Sequence, residues 1–193
     1  MLPKERRINS KQELRERLGC ELPKYGCGRI KSFLQIGESA ILCRHQILLR
    51  KTEYYTNTGK RIFALYYRIR LSKFQNRYGL HIPVNCCGKG LRIMHVGPIL
   101  INDRAVVGEN CAFHINTALV AGGTTHDAPV LEDSVVCGIG SVVVGGVHIA
   151  KNVAIGANAV VNKDVVEENI AVAGVPAKKI SNNGRLEWNK KRE

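Results

Sequence analysis

Three of the six histidines in this 193-residue chain stand where the sequence pattern is disturbed. His95 sits beside Gly97-Pro98, where two extra residues interrupt a six-residue beat. His114 follows about one coil later, and His126 lies in the irregular stretch from Ala121 to Pro129. An imidazole with a pKa near ~6.5 can take a proton and return it at neutral pH, which suits general acid–base work. A bulge in an otherwise regular wall is also a natural place for a site. His45, His81 and His148 have no such context.

The wall that must hold these residues is written in the repeat. An aliphatic or cysteine residue returns every sixth position at Leu131, Cys137, Val143, Ile149, Ile155 and Val161, and a small or β-branched residue follows each four positions later: Val135, Ser141, Val147, Val153, Ala159 and Val165. Neither the helical spacing of three and four nor the alternation of an ordinary strand explains a strict six. Hexapeptides of this kind each supply a short strand and a turn, three of them closing a triangular coil of about 18 residues that buries its apolar face only by stacking on its neighbours. Upstream, Cys87, Ile93, Ile101, Val107, Phe113 and Leu119 carry the same beat with the one two-residue insertion. The stretch Ala121–Pro129 keeps the count, since Leu119 and Leu131 stand two whole hexapeptides apart, but Thr125 and Pro129 occupy positions that should be apolar and small, which predicts a distorted coil.

Residues 1–80 differ in kind. They hold nine of the 11 aromatic residues and 18 Lys and Arg against six Asp and Glu, while residues 81–193 carry 11 against 10. We read residues 1–80 as a basic helical region, 81–180 as the β-helix and 181–193 as a polar tail. Helices are expected over Lys11–Leu18, Phe33–Arg50 and Arg61–Gly79, the last with Ile62, Leu65, Tyr66, Ile69 and Phe74 along its apolar side. The excess positive charge is either a solvated helix surface or a patch for an anionic partner: an acidic glycan, a lipid-linked substrate at the inner membrane surface, or cofactor phosphates. No nucleic-acid-binding motif accompanies it. The seven cysteines, an odd number without CxxC spacing, read as reduced core residues, and the neighbours Cys86 and Cys87 make a poor metal site. The N-terminus lacks the apolar core of a signal peptide and no run is long enough to span a bilayer, so a cytoplasmic protein is expected.

With this repeat, the residues Ile93-Met-His-Val-Gly-Pro-Ile-Leu-Ile-Asn102 and the closing Ala173-Gly-Val-Pro-Ala-Lys178, the sequence resembles the hexapeptide-repeat acyltransferases over residues 80–180. It looks closest to the serine acetyltransferase branch. The upstream Leu49-Arg-Lys-Thr-Glu-Tyr-Tyr55 and the basic helix after it look like members that acetylate sugars of capsular and other surface polysaccharides. The resemblance implies an all-β left-handed parallel β-helix assembled as a homotrimer, with active sites in clefts between neighbouring coils. It implies acetyl-CoA as acetyl donor, its pantetheine arm passing Gly122, Gly140, Ser141, Gly156 and Ala157 and its phosphates reaching Lys178 and Lys179. Glycine and alanine let such an arm lie against backbone amides, though tight turns require small residues there anyway. His95 matches the family's catalytic histidine, with His114, His126 and Asn102 as acceptor contacts. No Cys or Ser is placed as an acyl carrier, so transfer is direct, and the chemistry requires no metal.

The sequence departs from serine acetyltransferases at the aspartate before the histidine, here Met94, at the orienting carboxylate upstream of it, here Leu80, and at the acidic-basic-histidine triplet, here His126-Asp127-Ala128. The acceptor of the other imidazole nitrogen is left open among a backbone carbonyl, Asp103 and Glu53. These departures favour a sugar hydroxyl of a surface polysaccharide or its precursor as acceptor, with serine O-acetylation in cysteine biosynthesis as the alternative. A zinc hydratase on this fold would need two histidines five positions apart, a spacing the sequence lacks, and a non-catalytic scaffold is the remaining reading.

Overall fold

The computed structural model describes residues 2–26, 37–124 and 126–185. Among the described residues three α-helices, α1 (Lys11–Glu21), α2 (Glu38–Asn57) and α3 (Arg61–Tyr78), precede strands of two to four residues. These are β1 (Leu80–His81), β2 (Arg92–Ile93), β3 (Ile99–Ile101), β4 (Val106–Val107), β5 (Ala112–Phe113), β6 (Thr117–Val120) and β7 (Val130–Leu131). They continue as β8 (Val136–Cys137), β9 (Val142–Val144), β10 (His148–Ile149), β11 (Ala154–Ile155), β12 (Val160–Val161), β13 (Ala171–Ala173) and β14 (Lys178–Ser181).

Three parallel sheets form the faces of a prism. The first stacks β1, β3, β6, β9 and β12, the second β4, β7 and β10, and the third β2, β5, β8, β11 and β13, which β14 closes antiparallel. The chain visits the faces in that order, turn after turn, as a left-handed β-helix, against the right-handed preference of most parallel crossovers. Every beat residue from Ile93 through Val161 is buried, at 2% exposure or less. Burying each such Val, Ile or Leu side chain contributes roughly 1.5–3 kcal/mol.

The register locates the irregularities. Val142 pairs with Val160, a regular coil of three hexapeptides away, while Arg92 pairs with Ala112, a coil longer by the two inserted residues. The insertion therefore lies in the corner holding His95. Across the next coil Ala118 pairs with Val142, Val106 with Val130 and Ala112 with Val136, each separated by four hexapeptides instead of three. The stretch 121–129 thus adds a whole hexapeptide that leaves the wall as a loop, more than the distorted coil expected. Because the addition is a complete repeat, the count in sequence hid it.

Corners turn through left-handed backbone at Asn116, Gly140 and Asn158 on the edge between third and first faces. Asparagine and glycine tolerate that conformation best. At Gly140 the need is double, because a Cβ would strike the Asn158 side-chain oxygen of the next coil.

The helices close the first coil. Leu42, Leu48 and Leu49 of α2 and Leu71 and Phe74 of α3 join one apolar core with Leu80, Ile82 and Leu91. α1 starts at a capping box in which Ser10 Oγ accepts from Glu13 N and the Glu13 carboxylate accepts from Ser10 N. The joint is ionic. Arg50, wholly buried, donates to Glu21 at 2.7 Å, to Glu53 at 2.8 Å and to the carbonyls of Cys87 and Gly88 at 3.0 and 2.7 Å. Glu21 also accepts from Gly90 N and Glu53 from Asn85 N.

Two helical expectations are corrected. α2 runs to Asn57 rather than ending at Arg50, because tertiary packing overrides weak local propensity: Tyr54 packs with Ile8 and Leu14, and Thr52 Oγ1 returns to Leu48 O. The expected start of that helix at Phe33 lies outside the described residues. On α3 four of the five residues expected on the apolar side are turned to solvent, with Ile62 84% exposed and Leu65, Tyr66 and Ile69 at 61%, 50% and 47%; only the fifth, Phe74, joins Leu71 on the buried face. At the start of the polar stretch β14 ends with Ser181, Gly184 N donates to Asn169 O, and Arg185 N donates to Asn152 O.

Candidate active site

One edge of the prism, between the third and first faces, gathers most of the chemistry. His95 lies on it between β2 and β3, and His114 lies one coil on between β5 and β6. Gly140 and Ser141 follow between β8 and β9, then Gly156 and Ala157 between β11 and β12. The parallel register stacks these corners in a file. Gly97 allows the first of them to turn: its φ is 155° and a Cβ there would come within 3.1 Å of Ile115 Cγ2.

His95 is 55% exposed, and its Nδ1 lies 3.3 Å from Oε2 of Glu38, itself 48% exposed. The other carboxylate oxygen, Oε1, accepts the backbone N–H of Val96 at 2.7 Å. Glu38 opens α2 directly after the left-handed Gly37, and a carboxylate in the first turn is favoured by the helix dipole. With Nδ1–H donated to the carboxylate, the ring is the tautomer whose Nε2 is the acceptor nitrogen. The His114 ring stands 5.9 Å away, centroid to centroid. Burial, then neighbouring His95 and Arg92, lower the His114 pKa from its ordinary value.

The acceptor of the His95 ring nitrogen is therefore neither of the side chains considered from sequence. Glu53 is locked between Arg50 and Asn85, and Asp103 sits exposed in a turn between the first and second faces. Glu38 is far from His95 along the chain, and its only sequence signal is an acid opening a helix behind a glycine.

Along the same edge, a Cβ on Gly156 would approach that of Ala173 to 2.9 Å, and Ala157 is exposed. Ser141 is wholly buried, backbone and side chain alike, so it offers no surface to the edge. Lys178 and Lys179 are exposed on β14, and Lys179 is paired with Glu167 at 2.5 Å.

The structure does not bring the remaining residues to this edge within one chain. Asn102 lies between the first and second faces, where its Oδ1 accepts from Arg104 N at 2.9 Å. Gly122 and His126 belong to the loop excursion between those faces, tied by His126 N donating to Gly122 O at 3.3 Å and Gly122 N to Asp127 O at 2.9 Å. Among the described residues no group of three or more His, Cys, Asp or Glu could hold a metal ion. The Sγ atoms of Cys86 and Cys87 are buried 3.4 Å apart beneath the Arg50 network.

The fold is that of left-handed β-helix proteins, and the chain is similar to serine acetyltransferases. The chain is 36% identical over 101 residues to the serine acetyltransferase of Synechococcus elongatus, covering 50% of this chain and 40% of that one. It is 29% identical over 137 residues to that of Buchnera aphidicola, covering 68% and 48%. The chain thus spans about half the length of the curated relatives it matches. Among solved structures, the serine acetyltransferase of Brucella abortus in complex with coenzyme A superposes with a TM-score of 0.66 at 22% identity, over 90% of this chain and 70% of that one. No family model matches the sequence.

Proposed function

We infer that the chain is an acetyl-CoA-dependent O-acetyltransferase with serine as its leading acceptor. The observation that carries this is the imidazole–carboxylate pair of His95 and Glu38 at the head of an edge lined by Gly140, Gly156 and Ala157. His95 Nε2 takes the proton of the acceptor hydroxyl as its oxygen bonds to the thioester carbonyl carbon. The C–S bond then breaks, and the imidazolium returns the proton to the leaving thiolate. Glu38 holds the Nδ1–H throughout and balances the transient positive charge. Acetyl-CoA would lie along the edge, with exposed Lys178 available to its phosphates and Lys179 engaged with Glu167.

The relatives reverse the order of acceptors expected from sequence, because each of those named above is a serine acetyltransferase. A sugar hydroxyl remains the second reading on one observation. Met94, where the family has an aspartate, packs on the apolar cluster of Ala112, Val136, Ala154 and Ala171, so it offers no charge to an amino-acid ammonium.

The roles assigned to Asn102, Gly122 and His126 require the homotrimer that the resemblance implies, in which a neighbouring copy would bring its first-to-second-face corner to the His95 edge.

The test is thiol release from acetyl-CoA with serine and a panel of sugars, run on the wild type and on His95→Ala. Turnover with serine that falls about 10²–10⁴-fold in the variant supports the reading. Undiminished turnover removes His95, and wild-type protein that neither binds coenzyme A nor consumes acetyl-CoA favours a scaffold.

A further inference from the structure

The apolar stripe of α3 faces away from the protein. At about 100° per residue, Ile62, Leu65 and Ile69 centre opposite the buried Leu71 and Phe74. Arg61 and Arg68 run down one flank and Arg70, Lys73 and Arg77 down the other. No acidic residue occurs anywhere in the helix. Next to it, a cavity of about 650 Å³ is lined by Lys4, Arg7 and Arg68 together with Asn9 and Asn57, and no carboxylate lines it. Arg68 also lines a second cavity of about 280 Å³, shared with Tyr55, Ala64 and Leu65. Apolar wall and basic pocket thus meet at one arginine.

We propose that this face docks on a membrane surface containing anionic phospholipid, with Ile62, Leu65 and Ile69 entering the headgroup–acyl boundary and Lys4, Arg7 and Arg68 receiving phosphate. An exposed apolar strip bordered on both sides by cations is the arrangement that lies in a bilayer interface, and polybasic surfaces gain from the negative potential of anionic leaflets. A second copy is a poorer occupant, because pairing α3 with itself sets five cations against five with no acid to offset them. No described helix is long and apolar enough to cross a membrane, so the contact is peripheral.

Co-sedimentation of the full chain with vesicles tests this, comparing phosphatidylcholine alone with phosphatidylcholine plus phosphatidylglycerol, at low and high salt. The wild type is expected to pellet with the anionic vesicles only, and to be released by salt. Arg61→Gln and Arg68→Gln should each weaken binding about fivefold. The triple variant Ile62→Ser, Leu65→Ser, Ile69→Ser should abolish it with helix content unchanged by circular dichroism, since those side chains are solvent-exposed. Equal binding to both vesicles, or none, overturns the proposal. So does capture by a soluble acidic polysaccharide without vesicle binding, or a triple variant that binds vesicles normally and only lowers the oligomer mass in sedimentation equilibrium.

Discussion

Glu38 and His95, distant in sequence, meet with carboxylate and imidazole 3.3 Å from each other. The first residue of a helix outside the β-helix thereby orients the ring at its inserted corner. Glu38→Gln removes the charge that balances the imidazolium and should lower kcat about tenfold or more, with KM for acetyl-CoA little changed. Glu38→Asp should recover part of the loss. A steady-state comparison of the three proteins checks this; an unaltered kcat in Glu38→Gln would show that the pairing has no part in transfer.

The edge from Gly140 to Ala157 can be tested away from the chemistry. Ala157 is exposed, so Ala157→Trp costs the fold little but puts an indole where the pantetheine arm would pass. KM for acetyl-CoA should rise more than about tenfold at an unchanged melting temperature. Gly140→Ala, by contrast, should lower the melting temperature whether or not coenzyme A is bound, since its left-handed φ and the Asn158 contact are structural.

Arg50 fastens the helices to the first coil. Arg50→Met leaves Glu21 and Glu53 buried without a partner and should cost about 3–5 kcal/mol in urea unfolding. Adding Glu21→Gln should restore part of this. If Arg50→Met alone unfolds like the wild type, the joint rests on apolar contacts.

His45 gives the fold a pH dependence. Burial first, and Arg50 second, lower its pKa to about 3. Near pH 7 it is neutral in both folded and unfolded chains. As pH falls below about 6.5 the unfolded chain binds a proton that the folded one refuses, so stability drops by up to roughly 1.4 kcal/mol per pH unit until about pH 3. Urea midpoints measured from pH 7 to pH 4 should fall, and His45→Gln should flatten the slope.

The six-residue beat specified the β-helix by itself, because a residue that must point into a triangular coil can recur only at the period of its faces. It also located the His95 corner, since two residues cannot be added to a coil without bulging. The loop at 121–129 escaped because a complete hexapeptide preserves the beat. The apolar stripe of α3 was legible as a stripe, but periodicity cannot say whether such a face meets a core or a solvent-facing partner; the packing of Leu71 and Phe74 decided that. Glu38 was decided by tertiary structure alone. A contact between a helix start and a coil corner carries no spacing signature, and it exists because Arg50 and the leucines of α2 seat that helix against the first coil.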